Sequence, residues 1–330
     1  MKRFLIIVCC FLAMTSAVAQ EVSFKISDGL YDQDLKSRIE INLSELFTAF
    51  NEASAQSTKS LDLSQVDITA DAAAGLGMLW RNMPFSCDEF QIVERILHLY
   101  EGAGFQVRNI PVTLTDIPGR EAYKEIVVDM DHSGRITLIN LSIGDNLYRK
   151  VMGDGKEVSD LRHRQVILDY VEQFRTAYNR KDIDFLEAVF SEDALIITGK
   201  VTYRRKSELG YNLRPKIEYN KMSKRECLDK LKNKVFLNTR YIKVTFSDVE
   251  VVRHPTKDDY YGVRLKQDYR SMYTGGVPYE DEGYLFLLWD FRDESHPQIH
   301  VRTWQPYWMD EKKTQPLDTN DIIDINKFQL

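Results

Sequence analysis

The sequence predicts an α+β fold in which a curved antiparallel sheet wraps on helices, cone-like, with two such domains in tandem. Three observations lead there. The stretch Tyr279–Trp308 reads as two long strands joined by a polar turn at Asp293-Glu-Ser-His-Pro297. Its first strand, Tyr284–Phe291, is apolar at nearly every position, as in a strand covered on both faces. Finally, each half of the chain runs long helix, further helices, antiparallel strands. Thr48-Ala-Phe-Asn51 ends the first long helix as Thr176-Ala-Tyr-Asn179 ends the second. An internal duplication and a coincidence of short matches both remain open.

In order, residues 1–20 have the three parts of a secretory signal: Lys2 and Arg3, the apolar run Phe4–Met14, and the small-residue site Ala17-Val-Ala19. The mature chain is expected to start at Gln20 or Glu21, after cleavage near Ala19/Gln20, and to be secreted or periplasmic. Cys9 and Cys10 lie inside the apolar run behind Val8, which disfavours a lipoprotein signal. Residues 21–155 are expected to form an N-terminal α+β domain, 156–310 a second domain, and 311–330 a polar tail.

Asp32–Asn51 is helical by period, with Leu35, Ile39, Leu43, Leu46, Phe47 and Phe50 on one face. Asp67 or Thr69 caps a short helix at Ala70–Trp80, stopped by Asn82-Met-Pro84. Glu89–Tyr100 reads as another helix. Strands follow at Phe105–Thr113, Tyr123–Met130 and Arg135–Ile143, the last two joined by the tight turn Asp131-His-Ser-Gly134. Polar Gly153–Ser159 marks the boundary. Beyond it Leu161–Asn179 is a strong amphipathic helix, with Val166, Tyr170, Val171, Phe174 and Tyr178 on its apolar side. Asp182 caps a shorter helix; a strand at Ala194–Tyr203, a basic polar segment at Arg204–Lys221 and a helix at Ser223–Lys234 come next. Strands at Tyr241–Val252, Tyr260–Tyr269, Gly283–Phe291 and Ile299–Tyr307 complete the sheet. In the tail, Ile322–Ile325 is the one place for an edge strand.

The chain is 330 residues long, 43% hydrophobic and 28% charged, which suits globular domains with ample cores. Its net charge of −6 argues against duplex DNA or an anionic membrane as partner. No apolar run after the first approaches the roughly 18 residues of a membrane span. Two cysteines outside the signal, Cys87 and Cys227, fall in different domains and read as buried thiols ahead of a disulfide. Asp129–Gly134 imitates the start of a calcium loop. Asn140 stands where a bidentate Glu is needed, so a hairpin turn is the better reading. The six His residues show no ligand spacing, and no phosphate loop, dinucleotide fingerprint or nucleophile elbow occurs. No metal and no cofactor are expected.

Residues 165–179, Gln-Val-Ile-Leu-Asp-Tyr-Val-Glu-Gln-Phe-Arg-Thr-Ala-Tyr-Asn, and 181–194, Lys-Asp-Ile-Asp-Phe-Leu-Glu-Ala-Val-Phe-Ser-Glu-Asp-Ala, resemble the nuclear transport factor 2-like (SnoaL-like) superfamily. The resemblance spans residues 160–308 and extends faintly, as a divergent repeat, over 31–145. It implies a long helix inside a bent sheet, with one open mouth and a pocket, but no particular reaction. Family enzymes place an Asp or His at the pocket floor; no motif here carries those roles over residue by residue.

His300, Arg302 and Trp304 alternate with Val301 and Thr303, so they project from one strand face. On a concave face they would offer a proton acceptor, an anion contact and a stacking surface. On a convex face they would be surface residues or an interface. Tyr269, Tyr273, Tyr279 and Tyr284 crowd a loop carrying Gly275-Gly276, suited to a mouth or to packing. Asp268 and His300 are the acid–base candidates; Arg302, Trp304, Tyr269, Tyr284 and Arg204 are the ligand candidates. Arg204 belongs to a basic lip with Arg205, Lys206, Arg214, Lys216 and Lys221. The expected function is an exported, non-catalytic protein that binds a small, anionic molecule or a protein partner. One alternative is a pocket isomerase, dehydratase or cyclase working by proton transfer. Another is an assembly module, paired as a homodimer through the sheet by Trp304, Tyr307 and Trp308.

Overall fold

The computed structural model describes residues 20–99, 103–115, 122–155, 157–202 and 215–328. The expected signal peptide therefore lies outside the described residues, apart from Gln20, and so does Arg204.

Two hydrophobic cores organise the chain. The first is built on α1 (Gln33–Ala55), whose Ile39, Leu43, Leu46, Phe47 and Phe50 are fully buried. Asp32 caps the helix by accepting from the amides of Asp34 and Leu35. With α2 (Ala70–Asn82), α1 packs on an antiparallel sheet of β2 (Phe85–Ser86), β5 (Phe105–Leu114), β6 (Tyr123–Met130) and β7 (Ile136–Leu141) in that order. Phe50, Trp80 and Phe85 meet at its centre with ring centroids 4.9–5.9 Å apart.

The helix expected at Glu89–Tyr100 is not formed. The segment holds β3 (Gln91–Glu94), parallel to β1 (Ser23–Ile26), and β4 (Leu97–His98), paired with β5. A helix would bury Ile92 and Val93 together. Here Ile92 is buried and Val93 is 53% exposed, the two-residue alternation of a strand rich in β-branched residues.

The second core begins at Ile143, ahead of the polar boundary segment, because α3 (Asp145–Gly153) contributes Val151 to it. Its axis is α4 (Val158–Arg180), with Ile167, Leu168, Val171, Phe174 and Ala177 at zero exposure. Lys181 ends α4 in the left-handed conformation, at φ 61°. After α5 (Ile183–Val189), a six-stranded sheet takes the order β10-β11-β12-β13-β8-β9. The strands are β8 (Phe190–Thr202), β9 (Lys216–Ser223), β10 (Thr239–Arg253), β11 (Tyr260–Tyr273), β12 (Pro278–Asp290) and β13 (Gln298–Pro306). All neighbours are antiparallel except β13 with β8. α6 (Lys224–Lys230), opened by a reciprocal Ser223–Glu226 capping box, continues into a π-helical turn at Leu231–Phe236. The basic polar segment Arg204–Lys221 is thus, from Lys216 on, part of the edge strand β9.

Leu285, Leu287 and Trp289 of β12 face the second core, whereas Phe286 and Leu288 face outward with Val301. The tail covers that outward face. Leu317, Ile322 and Ile325 are buried, and Phe328 stacks on Phe286 at 5.3 Å. Ile322–Ile325 forms no edge strand. Gln305 instead fixes the tail, donating to the Asp321 carbonyl (2.9 Å) and accepting from the Ile323 amide (2.7 Å). In sequence the tail reads only as polar because its few apolar residues act singly.

The helix ends matched in sequence do the same work in both cores. Asn51 accepts from the Cys87 amide and donates to the Cys87 carbonyl, at 2.8 and 2.9 Å. Asn179 accepts from the Val244 amide at 2.6 Å and donates to the Val244 carbonyl at 3.4 Å. Both cysteines are buried and unpaired.

Candidate functional site

Between α4, α6 and the concave face of the sheet lies an open cavity of about 310 Å³. Strand parity decides what enters it. On β11, Gln267 and Tyr269 share the inward face with Val263 and Leu265; on β12, Tyr279 and Asp281 share it with Leu285 and Leu287. β13 supplies Arg302 and Trp304, α4 supplies Tyr178, and α6 supplies Cys227 and Lys230.

Arg302 is 8% exposed. Its Nε is buried without a hydrogen-bond partner, and it makes no ion pair with any described residue. Its charge acts on Tyr178, whose hydroxyl burial pushes up and Arg302 pulls partway back, and similarly on the buried Cys227 thiol. Asp281 stands in the same cavity. Burial raises its carboxyl above the usual range, although the Tyr279 hydroxyl (2.9 Å) and the Glu282 amide (3.0 Å) donate to it. The Tyr269 and Tyr279 rings meet edge to face at 5.9 Å, and burial holds the Tyr269 hydroxyl up at about 12. The chemistry available is a desolvated guanidinium, a carboxyl that holds its proton to higher pH than usual, and aromatic walls.

Three of the ligand candidates, Arg302, Trp304 and Tyr269, come together in this cavity. Tyr284 does not. It has the opposite parity, on the convex face, with its ring 5.6 Å from Tyr307. Asp268 is also on the convex face. It lines a separate crevice beside Arg270, 3.4 Å away, so this acid–base candidate has no access to the cone. His300 is displaced by a β-bulge. Leu288 pairs with Val301 and Trp289 with Ile299, which leaves His300 unpaired between them. Its ring lies in a separate concavity, outside the cone, with Nε2 3.0 Å from Asp290 and Nδ1 3.5 Å from Asp193. Of the aromatics expected at a sheet-to-sheet interface, Trp304 lines the cavity. Lys266 lies 4.0 Å from the Tyr307 ring, and Trp308 donates to Glu282 at 2.9 Å. Sequence reading missed Asp281, Gln267 and Tyr178. Counting inward positions back from Leu285 would have found Asp281.

No helix is long and apolar enough to cross a membrane, and no cluster of metal-ligating side chains occurs among the described residues.

No family model matches the chain, and no curated protein does. Among solved structures, it is similar to a nuclear transport factor 2-like superfamily protein from Salmonella enterica serovar Typhimurium, at 8% identity over 47% of this chain and 92% of that one, with a TM-score of 0.34. A nuclear transport factor 2-like protein from Cytophaga hutchinsonii is 16% identical over 43% and 97%, with a TM-score of 0.32. The hexachlorocyclohexane dehydrochlorinase LinA-type3 from Novosphingobium barchaimii is 11% identical over 54% and 99%, with a TM-score of 0.34. These are likenesses of fold, reaching about half of the chain: a long helix inside a curled antiparallel sheet, similar to nuclear transport factor 2-like proteins.

Proposed function

We propose that the chain is an exported, non-catalytic binding protein whose cone cavity takes a small molecule with an anionic group. The observation that carries this reading is Arg302. A guanidinium taken out of water without a counter-ion is costly, and a ligand carboxylate would supply the missing partner. Trp304, Tyr269 and Tyr279 would then flank the ligand's body. The test is calorimetric titration of the purified protein with small carboxylates and sugar acids. Arg302→Gln is expected to weaken binding by roughly 10- to 100-fold, from the ~1.5–3 kcal/mol of a charged hydrogen bond. Absence of heat and of any melting shift in the unaltered protein would overturn the reading. Export rests on residues 1–20; N-terminal sequencing of the secreted protein is expected to start at Gln20 or Glu21.

Asp281 favours a second reading, a proton-transfer enzyme. It is a carboxyl of raised pKa inside the cavity, held by the Tyr279 hydroxyl. The two readings separate on Asp281→Asn. An enzyme loses turnover and keeps ligand affinity, whereas a binding protein shows no turnover to lose.

A further inference from the structure

The polar groups of the cone stand at two ends, and the strand registers set them apart. Arg302 lies across from Leu287 of β12, Trp304 across from Leu285, and Tyr269 of β11 across from Asp281. Inward positions along β12 therefore step from Leu287, beside Arg302, through Leu285 and Gly283 to Asp281. Six residues of strand lie between the first level and the last, roughly 20 Å. A single functional group cannot serve both ends.

Between the ends the wall is mostly apolar. Leu265 and Leu285 stand side by side on β11 and β12, and Gln267 stands beside Gly283. The Trp304 indole lies over Gly283, where a Cβ would come within 2.7 Å of its Cε2 atom. The missing side chain thus lets the indole lie along the sheet while it still lines the cavity.

The ends are under-paired in opposite senses. Arg302 Nε is a buried donor with no acceptor. Asp281 accepts from the Tyr279 hydroxyl (2.9 Å) and the Glu282 amide (3.0 Å), two donors where a carboxylate has about four acceptor sites. Lys313 adds a weaker pull, yet burial outweighs all three and keeps the carboxyl above its usual range. One more donor at Asp281 would offset that burial.

Granting the anion-binding reading of Arg302, we propose that the ligand is a hydroxylated aromatic carboxylic acid: its carboxylate meets Arg302, its ring lies against Trp304, and its hydroxyl donates to Asp281. A hydroxyl suits the second end better than an amine, because Lys230 lines the same cavity and already places a cation there. At the ~30 Å³ share of a water molecule, about 310 Å³ is room for roughly ten non-hydrogen atoms, a ring with two short arms.

The test is calorimetric titration of the full chain with 4-hydroxybenzoate, 4-hydroxyphenylacetate and 4-hydroxycinnamate, each beside its unsubstituted and 4-methoxy counterparts. At the length that fits, the hydroxy acid is expected to bind roughly tenfold tighter than either counterpart. In Asp281→Ala that advantage is expected to vanish while the unsubstituted acid keeps its affinity. In Arg302→Gln all three are expected to weaken together. Tyr279→Phe, which removes a competing donor from Asp281 and keeps the ring, is expected to widen the advantage, and it decides if Asp281→Ala fails to fold. 4-Aminomethylbenzoate is expected to bind no tighter than benzoate. Arg302-dependent binding with no hydroxyl advantage at any length, an advantage that survives Asp281→Ala, or tighter binding of the amine would each overturn this inference and leave the anion-binding reading standing. Heat from sugar acids with none from the aromatic series would do the same. No heat from either series would sink the anion-binding reading as well.

Discussion

Asn51 and Asn179 each grip one residue of a neighbouring strand by both its amide and its carbonyl. Replacing either by Ala leaves a buried backbone pair unsatisfied. Each is expected to cost about 2–4 kcal/mol, and the two by similar amounts, as read by urea denaturation. The sequence showed this pair only as a shared tetrapeptide; the common mechanism was hidden because both partners, Cys87 and Val244, lie far along the chain. The candidate site was legible to a comparable degree. Arg302 and Trp304 followed from strand alternation, and Tyr269 from the crowding of tyrosines near Gly275-Gly276. His300 did not, because a bulge is one residue of extra length with no composition signal of its own. Asp268 and Asp281 lie in neighbouring strands of the same sheet. Only the parity of their apolar neighbours separates the outward one from the inward one.

At the scale of elements, long strands and long helices were read correctly because their periods run over many residues, as in α1, α4 and β12. Short pieces were misread. β3 and β4 total six residues and carry too little pattern to exclude a helix, and β9 is exposed on nearly every side chain, so no apolar stripe announces it. The tail is a third case. Ending the chain at Leu317 would strip Ile323, Ile325 and Phe328 from Phe286, Leu288 and Val301. At about 1.5–3 kcal/mol per buried apolar side chain, a loss of several kcal/mol is expected. Concentration-dependent light scattering should report the newly bared patch.

For the whole molecule, the decisive contact is the buried charge cluster between the two cores. Arg108 of β5 forms a two-pronged ion pair with Glu172 of α4, and its guanidinium lies 4.2 Å from the Tyr148 ring centroid. Gln106 donates to Asp129 (2.9 Å) and Asp169 (3.3 Å), one carboxyl from each side. Parting the cores would leave buried charge unpaired, so a single calorimetric unfolding transition is expected. Arg108→Met should cost about 3–5 kcal/mol. The same cluster sets a pH dependence. Burial, with Glu172 nearby, raises Asp129 to about 6, against the pull of Gln106 and Arg108. A carboxyl raised on folding favours the folded state while it is protonated. That contribution is complete below the ordinary Asp range and fades as pH rises through about 6. Asp129→Asn is therefore expected to melt higher than the unaltered protein at pH 8, with the gain vanishing near pH 4. An equal gain at both values would exclude titration as its cause.

The extra residue in β13 has an unexpected corollary for mutagenesis. Ile299 and Val301 are two apart, yet they serve opposite sides of the sheet, because His300 is inserted between them. Excising His300 altogether would restore an uninterrupted ladder against β12 with both side chains still correctly aimed. Excising Thr303 would send Trp304 to the wrong side of β13 relative to Arg302. The first shortened chain should fold and keep its cavity; the second should not, and circular dichroism with a melting curve on the pair would tell them apart.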